Sequence, residues 1–218
     1  MILVTTGVVL SRRRHQEFDR VAVVYTRALG RVSLRFAGVD RPRGKMKALS
    51  EPMVRAEYRL YCRPGSAWFT VTGGHILDSH PDLRSSLDRT LAGLEMCELL
   101  MRLTPEASPS AEKYELIAGH LEALDDAPSP WLTVAFGLRL LALAGLGPDP
   151  SYAAPADSSL WDFLQRADPA RLRELPEDPD RFSRLRSALG RIAERHIEAP
   201  LNSRLLRESM ASSRLAPV

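Results

Sequence analysis

Arg41, Arg43, Lys45 and Lys47 stand at every second position of "GVDRPRGKMKALSEP", with Pro42 and Gly44 between them. Pro cannot donate to a sheet ladder and breaks a helix interior, so this stretch reads as an exposed, stiffened loop. Four cations held out together suit an extended polyanion, and phosphate backbone is the commonest one. Further cations lie nearby in sequence: Arg12, Arg13 and Arg14, then Arg35, then Arg55, Arg59 and Arg63, whose spacing by four puts them on one side of a strand with Glu57 between the first two. Phe36, Tyr58, Tyr61, Trp68 and Phe69 are interleaved with them. A basic groove with aromatic platforms is how single-stranded nucleic acid is held. Phe36 and Phe69 are expected in the core, and Tyr58 and Tyr61 differ in parity, so only one of them can face a groove. The expected nucleic-acid contacts are Arg12, Arg13, Arg14, Arg35, Arg41, Arg43, Lys45, Lys47, Arg55 and Arg59.

No other constellation completes a known chemistry. "HILDSHPD" gathers His75, Asp78 and His80, but Asp78 or Ser79 before Pro81 is an ordinary helix start, so no metal is expected there. No phosphate-binding glycine motif or Ser/His/Asp order stands out, so no catalytic residue and no cofactor are expected. Cys62 and Cys97 are too few for a four-cysteine zinc site and form no secreted disulfide framework. His196, on an apolar stripe, reads as a core or boundary residue.

The elements that must hold these groups follow from periodicity. Residues 1–80 carry fourteen Lys and Arg against six Asp and Glu; residues 81–218 carry sixteen against twenty-one. The first part reads as five short strands: "LVTTGVVL", "RVAVVYTRALG", "RVSLRFAGV", "VRAEYRLYCRPG" and "AWFTVTGGHIL". After Pro81 the period becomes helical. Leu83, Leu87, Leu91 and Leu94 mark one helix; Tyr114, Ile117, Leu121 and Leu124 a second; and Ser129 to Ala144 a third that is apolar on nearly all sides. A short helix around Leu160–Gln165 follows. A fifth carries Phe182, Leu185, Leu189, Ile192 and His196, and "LNSRLLRESM" is a last short one. The expected fold is α+β: a five-stranded OB-fold barrel over residues 1–80, then an all-helical domain over 81–218, without a zinc site. An SH3-like barrel fits the strand count nearly as well. The longest apolar run, "WLTVAFGLRLLALAGLG", is 17 residues broken by Arg139, which suits a core helix rather than a membrane span. Its opening "MILVTTGVVLSRRR" has apolar residues before arginines, the reverse of a signal peptide, and a reducing cytoplasm is expected.

At this point a family resemblance appears. "TTGVVLSRRRHQEFDRVAVVYTRALGRVSLRFAGVDRPRGKMKALSEP" resembles the N-terminal part of the RecO family of bacterial recombination mediators. The matching features are the Thr-Gly-Val-Val-Leu strand, the Glu17-x-Asp19-Arg20 turn, the "VVYTRALGRV" hairpin, Ala37-Gly38, the basic loop and Glu51-Pro52. "FGLRLLALAGLGPD" resembles the family's central helix and "PLNSRLLRE" its terminal segment. The resemblance implies an OB-fold, binding of single- and double-stranded DNA, and annealing of complementary strands. It also implies partnership with RecR and with the acidic C-terminal tail of the single-stranded-DNA-binding protein, to help load RecA at gaps. Many members carry four zinc-binding cysteines after the central helix; "PDPSYAAPADSSLWDF" has none, so zinc is expected to be absent and that segment remodelled or shortened. An acidic tail needs an apolar slot and a cation. Arg139, the one charge on the apolar helix, is the first candidate, and Arg204 and Arg207 are the next. Two other classes remain open: an OB-type RNA-binding or adaptor protein without annealing activity, and a hydrolase using His75 and His80.

Overall fold

The computed structural model describes residues 2–197 other than 64, 67, 148 and 149, together with 201, 202, 205, 206 and 209. Five strands come first: β1 (Ile2–His15), β2 (Asp19–Thr26), β3 (Gly30–Phe36), β4 (Arg55–Cys62) and β5 (Phe69–Asp78). They close into a barrel in the order β1-β2-β3-β5-β4. Only β3 and β5 run parallel; every other pair is antiparallel. This is the OB-fold expected from the sequence. Along β2 and β3, Ala22, Val24, Leu34 and Phe36 point inward and meet Tyr58, Leu60 and Val71 from the other side.

β1 runs to His15, past the point where apolar alternation ends. Its second half is held by ladder bonds to β2, with a bulge between Val9 and Ser11. The bulge lets one long strand pair with β4 through residues 2–8 and with β2 through 7–15.

The helices are α1 (Pro81–Ser85), α2 (Leu87–Leu103), α3 (Ala111–Asp126), α4 (Trp131–Leu143), α5 (Ser158–Arg166) and α6 (Pro179–Glu194). Their starts follow capping chemistry. Ser110 accepts from the Lys113 amide ahead of α3, and Asp178 accepts from the Arg181 amide with Pro179 at the first helical position. Two readings need correction. The Leu83–Leu94 stripe is not one helix: Ser86 is extended (φ −116°, ψ 129°), which resets the helical phase and leaves Leu87 exposed. His196 lies in a turn beyond the end of α6 and is exposed, because the helix stops at Glu194 before the stripe reaches it. The expected "LNSRLLRESM" helix falls largely outside the described residues.

α4 is buried from Trp131 to Leu138 and is the centre on which α2, α3, α5 and α6 pack. The helical core does not stop at the barrel. Val8, Leu10, Tyr25 and Met53 belong to the same buried cluster as Met96, Leu100, Tyr114 and Leu121. The loop between α2 and α3 completes the junction: the Ala107 amide donates to the Arg31 carbonyl at 2.9 Å. Gly30, at φ +68°, passes so close to Ser108 that a Cβ there would lie 2.4 Å from its carbonyl. Barrel and helices therefore share one core across the boundary expected at residue 80. Met53→Ala removes a side chain 2% exposed at that seam and should cost about 2–5 kcal/mol. Calorimetry should show one transition moving down as a unit; two separated transitions would mean that barrel and helices unfold independently.

Candidate nucleic-acid interface

The loop between β3 and β4 closes one end of the barrel. Val39 and Leu49 join the barrel core, with Met46 packed against it. The neighbouring residues Arg41, Arg43, Lys45 and Lys47 are all exposed. Apolar plugs inside and cations outside give the loop two faces. Gly44 turns back on Val39, whose carbonyl would lie 2.2 Å from a Cβ at that position, and its amide donates to the Arg41 carbonyl at 2.8 Å.

Arg20 holds this loop from within. Its side chain is 5% exposed. Nε and Nη2 donate to the two oxygens of Asp40 at 2.9 and 2.6 Å. Nη1 donates to Glu51 at 2.7 Å and to the Ser50 hydroxyl at 3.2 Å. Ser50 in turn donates to the Lys47 carbonyl at 2.7 Å. The Tyr58 hydroxyl, in the barrel core, donates to the Leu49 carbonyl at 3.0 Å. One guanidinium and one phenol thus fix both ends of the basic segment. Alongside, Asp19 accepts from the Gly38 amide at 2.7 Å and from Arg35 at 2.7 and 2.9 Å.

The structure brings most of the expected cations to this end. Arg12 pairs with Glu51 at 2.9 Å. Arg14 lies opposite Arg20 in the ladder and, with Lys47, acts electrostatically on Asp40. The Arg41 guanidinium lies over the Phe18 ring, 5.7 Å from its centroid. Arg13 lies opposite Val21 and Arg35 pairs with that same residue from β3, so both share the outer face of these strands. His15 and Trp68 meet edge to face at 4.7 Å between centroids, which joins the β1–β2 hairpin to the β4–β5 connection. Arg13, Arg14, Arg43, Lys45 and Lys47 have no carboxylate within 4.0 Å among the described residues. Arg55 and Arg59 do not join them. They lie opposite Val8 and Val4, on the flank built from the first half of β1. Tyr61 is exposed on that flank, while Tyr58 is fully buried.

Sequence reading missed Arg20, Asp19, Asp40 and Glu51 as the frame of this site. An arginine pointing into the barrel end has no signature in periodicity, because it occupies the same parity as Ala22 and Val24. The outer face of β2 is also narrower than expected: Tyr25 is buried under the helices and Val23 packs against them.

In the helical part, Arg139 is half-buried and donates to the Ala167 carbonyl at 3.2 Å. It lies on the rim of a cavity of about 600 Å³ with Leu116, His120, Ala142 and Leu143, and with Glu112 and Asp168 at its mouth. Burial drives the His120 pKa down to about 4, so its imidazole adds no charge there. Arg204 and Arg207 lie outside the described residues. His75 turns to Glu57 at 3.5 Å, away from Asp78 and His80.

The Arg20 guanidinium holds the Asp40 carboxyl below the usual carboxylate range. The Gly38 amide, then Arg35, do the same for Asp19 against the opposing effect of burial. Lowered carboxylate pKa values stabilise the fold fully above the ordinary carboxylate range, and the contribution is lost as pH falls through the lowered values. Protection factors of the loop amides between 38 and 51, which remove the intrinsic rise of exchange with pH, should therefore be flat through neutral pH and fall only in acid. Arg20→Lys keeps the charge but loses the planar fork; it should cost about 1.5–3 kcal/mol and speed exchange at neutral pH. Unchanged protection in that variant would remove Arg20 from the role of anchor.

Comparison with known proteins matches the same regions. The family model described as Recombination protein O N terminal matches residues 1–80, and that described as Recombination protein O C terminal matches residues 84–154. The DNA repair protein RecO of Rubrobacter xylanophilus is 30% identical over 196 residues, covering 86% of this chain and 78% of that one. The DNA repair protein RecO of Pelotomaculum thermopropionicum is 30% identical over 142 residues, 65% of this chain and 55% of its own length. That of Listeria monocytogenes is 23% identical over 143 residues, again spanning 55% of the relative. The chain thus spans about half the length of several relatives that it matches.

Proposed function

Because the chain belongs to the RecO family of DNA repair proteins, we propose that it binds single- and double-stranded DNA through its barrel end. There it would anneal complementary strands and, with RecR, help load RecA at gaps coated by the single-stranded-DNA-binding protein. The observation that carries this reading is the set of exposed cations Arg13, Arg14, Arg43, Lys45 and Lys47, held around an ordered frame with no carboxylate partner among the described residues. Phosphate contacts of this kind position a strand without reading its sequence, as an annealing protein requires. Trp68, against His15, offers a ring for bases, and the guanidinium edges of Arg13 and Arg14 suit phosphate oxygens. The role is binding rather than catalysis, and its place is the cytoplasm, on the nucleoid. No described helix is long and apolar enough to cross a membrane.

Binding of labelled oligonucleotides across a salt series tests the reading. If the four loop cations and one strand arginine each neutralise a phosphate, log K against log salt should fall with a slope of about −3.5 for a single strand, from about −0.7 per contact. Changing Arg41, Arg43, Lys45 and Lys47 together to Ala should flatten the slope and weaken all sequences alike. An unchanged slope would take the loop out of the DNA path. Faster pairing of complementary oligonucleotides is expected of an annealing protein; binding without annealing, with RNA preferred, would favour an OB-type RNA-binding protein.

For the acidic tail of the single-stranded-DNA-binding protein we assign the cavity beside Arg139, whose apolar wall of Leu116, Ala142 and Leu143 suits a terminal aromatic. Arg139→Ala should weaken a tail peptide by about 1.5–3 kcal/mol, the scale of a hydrogen bond to a charged group, and leave DNA binding intact. A folded variant with unchanged peptide affinity moves the site elsewhere.

A further inference from the structure

Where the barrel hands over to the helices, three side chains from separate elements converge. Asp78 ends β5, His80 precedes α1, and Asp125 comes from the last turn of α3. One ligand atom from each lies within 4.8 Å of the other two. The carboxylates are partly held already. Asp78 Oδ1 accepts from the His80 amide at 2.9 Å, and Asp125 Oδ1 accepts from the Leu83 amide at 2.6 Å. Each carboxylate keeps a second oxygen.

His80 is the unexplained member. It is fully buried, yet neither ring nitrogen has a hydrogen-bond partner. Nδ1 lies 3.2 Å from Asp78 Oδ1, without the geometry of a hydrogen bond. A buried imidazole left unsatisfied is destabilising, because it forfeits the hydrogen bonds it made to water. The backbone compounds this: His80 has φ +51°, a left-handed conformation that a non-glycine residue adopts at a cost. A strained, buried, unsatisfied histidine aimed between two carboxylates is explained by a ligand that takes a nitrogen lone pair.

We propose that Asp78, His80 and Asp125 form a binding site for a divalent transition-metal ion, zinc(II) in the first instance, that clamps the end of the barrel to α1 and α3. The donor set decides the class. Calcium and magnesium take oxygen ligands, whereas an imidazole with two carboxylates suits zinc and its first-row neighbours. Zinc–ligand bonds of about 2.0–2.2 Å in tetrahedral geometry separate ligand atoms by about 3.3–3.6 Å, so a pair at the 4.8 Å limit would close by roughly 1.2–1.5 Å, within reach of side-chain rotation. Burial lowers the His80 pKa, with Arg55 and Arg84 adding to the effect against Asp78 and Asp125. The same two arginines oppose an incoming cation. Arg84 is already engaged by the Ser79 and Pro52 carbonyls. Asp78 is 25% exposed at its side chain, which leaves an entry route and room for water to complete the coordination. The sequence gathers His75, Asp78 and His80 here but not Asp125, which is far along the chain, and His75 turns to Glu57 instead.

The test uses the full chain, stripped with chelator and titrated with zinc(II) by calorimetry and by thermal melting, and with cobalt(II) by visible absorption. The expected result is one equivalent bound, a raised melting temperature and cobalt d–d bands. Asp125→Asn keeps an acceptor for the Leu83 amide and should weaken zinc at least tenfold; His75→Ala should leave it unchanged. His80→Ala should abolish the cobalt bands, and if it does not fold, Asp78→Asn serves as the second variant. No stoichiometric zinc binding, an affinity untouched by Asp125→Asn, or a loss in His75→Ala would overturn the site.

Discussion

A single buried guanidinium organises the basic end of this protein. Arg20 stands at the start of β2 with inward parity, where an apolar residue would ordinarily plug the barrel. Its cation is instead satisfied by Asp40, Glu51 and Ser50, all from the β3–β4 loop. A buried charge without partners would be strongly destabilising, so the loop must close in the one conformation that supplies them. That conformation also sets Val39 and Leu49 into the barrel and turns the alternate residues outward. The array of cations on the surface is thus a consequence of a cation in the interior. The local acids Asp19, Asp40 and Glu51 are spent on Arg35, Arg20 and Arg12, and Arg13, Arg14, Arg43, Lys45 and Lys47 are left without a carboxylate partner among the described residues.

The junction with the helices has an equal effect on function. β1 is long enough to serve two partners because of its bulge, and its outward residues near the middle, with Tyr25 from β2, are covered by α2 and α3. An OB barrel with both faces free would offer a broad strand surface to a ligand. Here the helices occupy part of it and push the available surface toward the barrel end, the β1–β2 hairpin and the β4–β5 connection. The contact between His15 and Trp68 ties the last two together. The rigid shared core means that anything docked on the helices is coupled in position to whatever lies on the barrel.

The helical half uses the same economy of charge. Asp157 is 1% exposed and receives both Arg181 and Arg184, so α6 is pinned to the turn before α5. Arg186 reaches Glu95 on α2 at 2.6 Å. Buried acids take up arginines of α6 and fix its angle on α4, where Gly137 admits the Leu189 side chain at a distance that a Cβ would forbid. Cys97, with its thiol pushed up to about 12 by burial, is a packing residue of this core rather than a reactive one.

Period and punctuation carried a great deal of this protein in the sequence alone. Alternation at Val32, Leu34 and Phe36, the Pro-Arg-Gly loop, the change of period at Pro81 and the apolar length of α4 are local properties, set by side-chain parity and backbone sterics. They sufficed for five strands, most helices, the exposure of the loop cations and the parity of Tyr58 and Tyr61. What was not legible depends on pairing between distant residues. The identity of Arg20 as an anchor required knowing that Asp40 and Glu51 return to it. The separation of Arg55 and Arg59 from the other cations required the register of β4 against β1. The break at Ser86, the exposure of His196 and the meeting of Asp78, His80 and Asp125 each turn on where a neighbouring element ends. Local propensity determines which elements exist; only long-range contact decides which of their faces, and which of their charges, remain open.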